Sequence, residues 1–191
     1  MSANSREAVL QAARRRAQAH GYNGLNFRDL AAEVGIKSAS LYYYFPSKAD
    51  LGAAVARRYW EDSEAELEAL SRDTSDPTEC LFRYPDLFRR SLASDNRICL
   101  CSFMAAEYDD LPPAVTAEVG RFADVNISWL AKRLAETGLS PQVALDRAGG
   151  IFAAIAGAQL MARGRADIDL FDRLIQGYRE AGLLPLGADR L

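Results

Sequence analysis

Apolar positions recur along the chain at spacings of three and four residues, and no sustained alternation of apolar and polar residues interrupts them. Such spacing puts apolar side chains on one face of a helix, whereas a half-buried strand needs a period of two. The pattern predicts an all-α fold. Val9, Ala13 and Ala17 form one stripe of a first helix that Ser5 can cap and that runs to about Ala19, where "HGYNG" supplies a glycine stop. Asn26 caps a short second helix, "FRDLAAEV", with Asp29 at its third position in an acidic variant of the capping box, and Gly35 ends it. Ser38 is the next cap, opening "ASLYYYF", and Pro46 closes that helix because proline disfavours the α conformation in the residue before it. A fourth helix starts at or beside Ser47 and runs from Lys48 to about Leu70, before the linker-like "SRDTSDPTE". Five further helices are predicted at about 77–93, 97–109, 113–137, 141–163 and 168–182, with breaks at "SDN", "DDLPP", "TGLSP" and "RGRAD".

The second helix, its glycine-led turn and the short third helix have the order of a helix-turn-helix, which lays its second helix in a DNA major groove. Leu30, Ala31, Val34, Ile36 and Leu41 are spaced so that the two helices can pack. Within "LYYYF", Leu41 and Phe45 are four apart and share the inner face, which assigns Phe45 to the core. Tyr42, Tyr43 and Tyr44 sweep the other faces, where a phenol hydroxyl can donate to a phosphate oxygen and a ring can pack on sugar or a thymine methyl. Core filling by some of these rings is the alternative. Ser38 and Ser40 are small and polar at the helix start and leave the backbone free to approach base edges.

Charge sharpens this reading. The net charge of -3 conceals a split, because residues 1–60 carry nine Lys or Arg against four acids, a net +5, while the remainder carries -8. The first third therefore suits a polyanion. Arg14, Arg15 and Arg16 read as a solvated basic face that attracts DNA at long range. Composition narrows the rest: 49% hydrophobic residues over 191 positions allow a real core. No run of eighteen apolar residues occurs, and "MSANSREAVLQAARRR" reaches charged residues where a signal peptide needs its apolar segment, so a soluble cytoplasmic protein with no membrane span is expected. Three cysteines, Cys80, Cys99 and Cys101, argue against a disulfide framework, and Cys99-X-Cys101 lacks the second pair that zinc would need. One histidine and no Gly-rich phosphate loop or nucleophile elbow argue against an enzyme, and no cofactor or metal is expected.

The stretch "AARRRAQAHGYNGLNFRDLAAEVGIKSASLYYYFPSKADL" resembles the N-terminal DNA-binding domain of the TetR family of transcriptional regulators. The resemblance covers about residues 6–60: an alanine-rich first helix, an aromatic near Gly21, an "LA..VG" second helix and "LY.YF.SK..L". It departs at Asn26, where the family usually has threonine, and asparagine caps equally well. It implies an all-helical homodimer, usually a repressor, with a helix-turn-helix domain over residues 1–47 and a helical ligand-binding and dimerisation domain over 48–191. The partners it implies are a double-stranded DNA operator and a small-molecule effector. The DNA contacts it implies fall on Arg28, Lys37, Ser38, Ser40, Tyr42, Tyr43, Tyr44 and Lys48, with a solvated turn position as the other reading of Lys37.

Beyond residue 60 the pattern is less specific. "LDRAGGIFAAIAGAQLMARGR" carries Gly150, Ala153, Ala154, Gly157 and Ala158, which allow close helix approach, and Ile151, Ile155, Leu170, Leu174 and Ile175 add apolar area. The resemblance implies that the last two helices pair with their copies as a four-helix bundle. A pocket needs mostly apolar walls with a few polar groups, and the candidates are Tyr84, Phe88, Met104, Tyr108, Phe122, Asn126, Trp129, Phe152 and Gln159. Phe122, Asn126 and Trp129 share one helix face, with Asn126 as its polar member. "RICLCSFMAAEYDDLP" is similar to a segment of a TetR branch that includes sensors of reactive electrophiles, which makes Cys99 a candidate redox residue, with Arg97 and a helix start beside it to favour thiolate. Packing as a small hydrophobe is the other reading of Cys99. A constitutive DNA-binding protein without a ligand is the alternative to a ligand-released regulator.

Overall fold

The computed structural model describes residues 3–186, and among them the regular elements are helices only. In chain order they are α1 (Ala3–His20), a 3-10 turn (Tyr22–Gly24), α2 (Phe27–Val34), α3 (Ser38–Tyr44), α4 (Lys48–Asp73), α5 (Pro77–Arg83), α6 (Pro85–Ala93), α7 (Leu100–Ala105), a second 3-10 turn (Tyr108–Asp110), α8 (Pro113–Glu136), α9 (Pro141–Arg165) and α10 (Ile168–Glu180). Two compact units emerge. The first joins Met1–Asp62 to Leu100–Phe122, and the second joins Ser63–Cys99 to Ala123–Leu191. The first unit thus extends past residue 47 into α4 and takes in a later segment.

Local chemistry accounts for most boundaries. The Asn26 side chain accepts hydrogen bonds from the backbone N–H of Arg28 at 2.9 Å and Asp29 at 3.2 Å, and α4 opens on Ser47, whose Oγ accepts from the Asp50 N–H and donates to the Asp50 carboxylate. Gly35 ends α2 with φ 74°, where a side chain would be strained, and Ile36 N–H reaches back to the Ala31 carbonyl at 2.9 Å in a Schellman closure. Two expected caps are displaced. Ser5 lies inside α1, and Lys37 takes the cap position of α3 because the Ser40 N–H already bonds the Lys37 carbonyl, leaving Ser38 as the first helical residue.

The single helix expected over 77–93 is broken into α5 and α6 at Pro85, whose ring nitrogen cannot donate to the preceding turn. The helix expected over 97–109 shrinks to α7 because Asp95 and Asn96 turn the chain through left-handed backbone before it can begin.

In the first unit α1 packs on α2, α3 and α7. Its Ala12, Ala13 and Ala17 are fully buried, and Leu30, Leu41, Leu51 and Met104 join them in the core. In the second unit α9 packs on α6 and α10. Arg89 on α6 makes a two-pronged ion pair with Asp172 on α10 at 2.7 and 2.8 Å. By length and composition α9 is apolar enough to cross a membrane; in this fold its Ala144, Ala148, Ile151, Ile155, Ala158 and Ala162 are core residues of the second unit. Ile151, Ile155, Ala158 and Ile175, expected on a dimer face, are thereby spent inside the chain. Gly150, Ala153 and Gly157 remain exposed.

Candidate nucleic-acid interface and buried aromatic cluster

Helix α3 sorts its aromatic run as helical geometry demands. Leu41 and Phe45 are 0% and 2% exposed, whereas Tyr42 and Tyr43 are 56% and 75% exposed. Tyr44 is half-buried, edge-on to Tyr43 with ring centroids 5.5 Å apart. The Tyr42 ring is braced by Phe27 at the start of α2, with centroids 4.6 Å apart, so its orientation is held although the residue as a whole is exposed. Ser38 and Lys37 are exposed at the opening of α3, and Ser40 is partly covered.

The basic residues of the first unit divide into two sets. Arg14 pairs with Asp62 at 2.8 Å and lies over the Tyr59 ring. Arg15 and Arg16 both grip Glu33 at 2.9 Å, with Arg16 also facing Asp29. These guanidiniums, Arg16 first, hold the Glu33 carboxyl below its ordinary pKa. Arg58 bridges Asp62 and Glu7. Arg57 pairs with Glu118, which also accepts from the Trp60 indole at 2.8 Å; the Arg57 contact lowers the Glu118 pKa. Arg14, Arg15 and Arg16 do keep a partly solvated face, but one whose charges are ion-paired to carboxylates on neighbouring helices.

The second set comprises Arg28, Lys37, Lys48 and Arg6, which no carboxylate pairs with among the described residues. Arg28 follows Phe27 at the start of α2, Lys37 caps α3, and Lys48 opens α4 with its ammonium 4.4 Å from the Tyr22 ring centroid. Cations at helix N-termini add to the positive end of the helix dipole, an arrangement suited to phosphate oxygens.

A family profile described as bacterial regulatory proteins, tetR family, matches residues 9–55. The crystal structure of a TetR-family transcriptional regulator from Agrobacterium tumefaciens superposes with a TM-score of 0.86 at 30% identity, covering 93% of this chain and 97% of that one.

The chain belongs to the TetR family. It is accordingly a DNA-binding transcription regulator. A TetR transcriptional regulator from Legionella pneumophila agrees over 94% of this chain and 98% of its own, with a TM-score of 0.88 and 28% identity. The HTH-type transcriptional repressor DrrR1 of Streptomyces coeruleorubidus is 37% identical over 79 residues, which is 36% of this chain and 29% of that protein.

The nine candidate ligand residues of this TetR-family chain do not fall in one unit. Tyr84, Phe88, Asn126, Trp129, Phe152 and Gln159 belong to the second, where four of them form an aromatic chain. Tyr84 stacks on Trp129 with centroids 5.7 Å apart, meets Phe88 edge-on at 5.5 Å, and Phe88 meets Phe152 at 6.3 Å. The Tyr84 hydroxyl donates to Asn126 Oδ1 at 2.9 Å, and both residues are buried. Burial pushes the Tyr84 phenol well above the ordinary tyrosine range, so it stays protonated and remains a donor. Gln159 is consumed structurally, its amide donating to the Phe88 carbonyl at 2.7 Å and accepting from the Cys99 N–H at 2.9 Å.

Met104, Phe122 and Tyr108 lie in the first unit. Met104 is core, and Phe122 packs on Tyr59 at 5.3 Å. Tyr108, which opens the second 3-10 turn, is 66% exposed, whereas Leu111 after that turn is buried. Cys99 precedes α7 rather than opening it and is buried with Cys80 and Cys101. Two partners have no counterpart among the residues expected from the sequence. Ser71 Oγ accepts the Trp129 indole N–H at 2.9 Å, a pairing no local pattern announces. Tyr59 did carry a signal, since Leu51, Val55 and Tyr59 recur every fourth residue and are all buried.

Proposed function

We propose that this TetR-family protein is a repressor that binds a two-fold symmetric operator as a homodimer and is released by a small, largely apolar effector. The observation that carries the reading is the division of α3, with Leu41 and Phe45 anchored inside and Tyr42 and Tyr43 presented outward beside unpaired cations. Arg28, Lys37, Ser38, Ser40, Tyr42, Tyr43, Tyr44 and Lys48 are its proposed DNA contacts, the hydroxyls and cations on phosphate and the start of α3 on base edges.

The proposed dimer face is the exposed side of α9. Gly150, Ala153, Gly157, Leu160, Met161 and Gly164 recur at three- and four-residue spacing there, Leu160 being 62% exposed, and a Cβ built on any of the three glycines meets no neighbour. A row that is small and apolar yet covered by nothing in its own chain suits close packing against a second copy. The effector site is proposed at the Tyr84–Asn126–Trp129 cluster, where one buried hydrogen-bonded pair among aromatic rings matches the chemistry of an apolar pocket with few polar groups. Cys99 has a structural role in this reading, since its thiol is buried and its N–H is held by Gln159.

Selection of duplexes from a randomised library by the purified protein, followed by sedimentation of the complex, tests the reading. A symmetric site with half-sites about 34 to 36 Å apart, or a multiple of that, is expected. A monomer without duplex preference would overturn it.

A further inference from the structure

We infer that Arg6 is a phosphate-contacting residue of the operator complex, completing a set of cations that brackets α3 at both ends; the inference rests on the DNA-binding reading above. Residues 1–60 carry nine basic side chains, but Arg14, Arg15, Arg16, Arg57 and Arg58 are ion-paired within their own unit. A guanidinium already paired with a carboxylate presents little net charge, so it attracts a polyanion less than an unpaired cation does. The electrostatic attraction for DNA thus falls on the cations left over.

Those cations are not scattered. Lys37 caps the N-terminus of α3. Arg28 sits next to Phe27, whose ring touches Tyr42. Lys48 starts α4 three residues after Phe45, the residue that follows α3. Arg6, on the first turns of α1, is exposed and holds its guanidinium 5.3 Å from the centroid of the Phe45 ring. Although Arg6 is far from α3 in sequence, it stands at the C-terminal end of that helix.

A seven-residue helix rises about 10 Å. Cations at both ends of α3 therefore flank the segment that would enter the groove and can meet phosphates beyond either end of it. Lys37 serves one end and Arg6 the other. The Phe45 ring supports the guanidinium by a cation–π contact without neutralising it, and the planar fork keeps N–H donors for a bidentate phosphate contact. Phe45 then has two duties, as core anchor of α3 and as the platform of Arg6.

The test uses the full-length protein and a duplex that the wild type recovers from a randomised library, with the dissociation constant measured between 50 and 200 mM salt. Removing one phosphate interaction from each subunit of a dimer lowers the salt slope by about 1.8, so Arg6→Gln should lose about 12-fold less affinity than the wild type over that fourfold salt range. Arg6→Lys should restore the slope, because the charge returns. Arg58→Gln, which breaks an internal ion pair, should leave it unchanged. Melting temperatures of the three variants separate packing from charge, since poorer packing on Phe45 shifts the melt and leaves the slope alone. A wild-type slope for Arg6→Gln overturns the inference while the DNA-binding reading stands. Failure of the wild type to retain any duplex overturns both.

Discussion

The carboxylate of Glu107 accepts the backbone N–H of Tyr22 at 2.5 Å and that of Asn23 at 3.4 Å, across 85 and 84 residues of sequence. The contact ties the segment after α7 to the 3-10 turn that follows α1, inside the first unit. Its closeness depends on Gly21, whose φ is 67° and where a Cβ would collide with Glu107 Oε2 and fall 2.5 Å from the Phe103 ring. Glu107→Ala leaves two amides without their acceptor and should cost about 1 to 3 kcal/mol in urea unfolding. Gly21→Ala should cost at least as much, through strain and collision together. Unfolding curves that superpose on the wild type would show that the clasp contributes nothing.

Tyr42→Phe removes one hydroxyl and leaves the ring on Phe27. Operator affinity should fall by roughly 1.5 to 3 kcal/mol, the worth of a hydrogen bond to a charged phosphate, at an unchanged melting temperature. Phe45→Ala should destabilise the protein by about 3 to 5 kcal/mol, as deletion of a buried aromatic does. Paired fluorescence-anisotropy titrations and thermal melts distinguish the two roles, and a Tyr42→Phe protein that binds like its parent would remove Tyr42 from the interface.

Ala166 ends α9 in left-handed backbone, with φ 49°, and the Asp167 N–H closes on the Ala162 carbonyl at 3.0 Å. This is the position at which glycine is favoured, because a Cβ there crowds the neighbouring carbonyl. Ala166→Gly should stabilise the protein by about 1 kcal/mol and raise its melting temperature by about 2 to 4 °C. A lower melting temperature would mean that the entropy of the unfolded glycine outweighs the relieved strain.

If an effector occupies the Tyr84–Asn126–Trp129 cluster, Trp129 fluorescence reports its entry, because the indole stacks on Tyr84. Linkage requires reciprocity, so saturating operator should weaken effector binding by the factor by which effector weakens operator binding, typically about 5 to 150-fold. An effector bound equally well by free and DNA-bound protein would exclude induction through this cluster.

Helix starts and stops at Asn26, Gly35 and Ser47 were legible in the chain itself, and so was the inward turn of Leu41 and Phe45. Each depends on contacts within one or two helical turns, where neighbouring residues meet in any helix of that sequence. The family followed from the same short-range pattern. Tertiary structure decided which arginines remain free for DNA, because Arg15 and Arg57 pair with carboxylates 18 and 61 residues away, and Arg58 adds Glu7, 51 residues away, to its own-helix partner Asp62. It also decided which side of α9 is core. That helix is apolar nearly all round, so its sequence has no polar face to orient it; packing against α6 and α10 buried Ile151 and Ile155 and left Gly150, Ala153 and Gly157 outside.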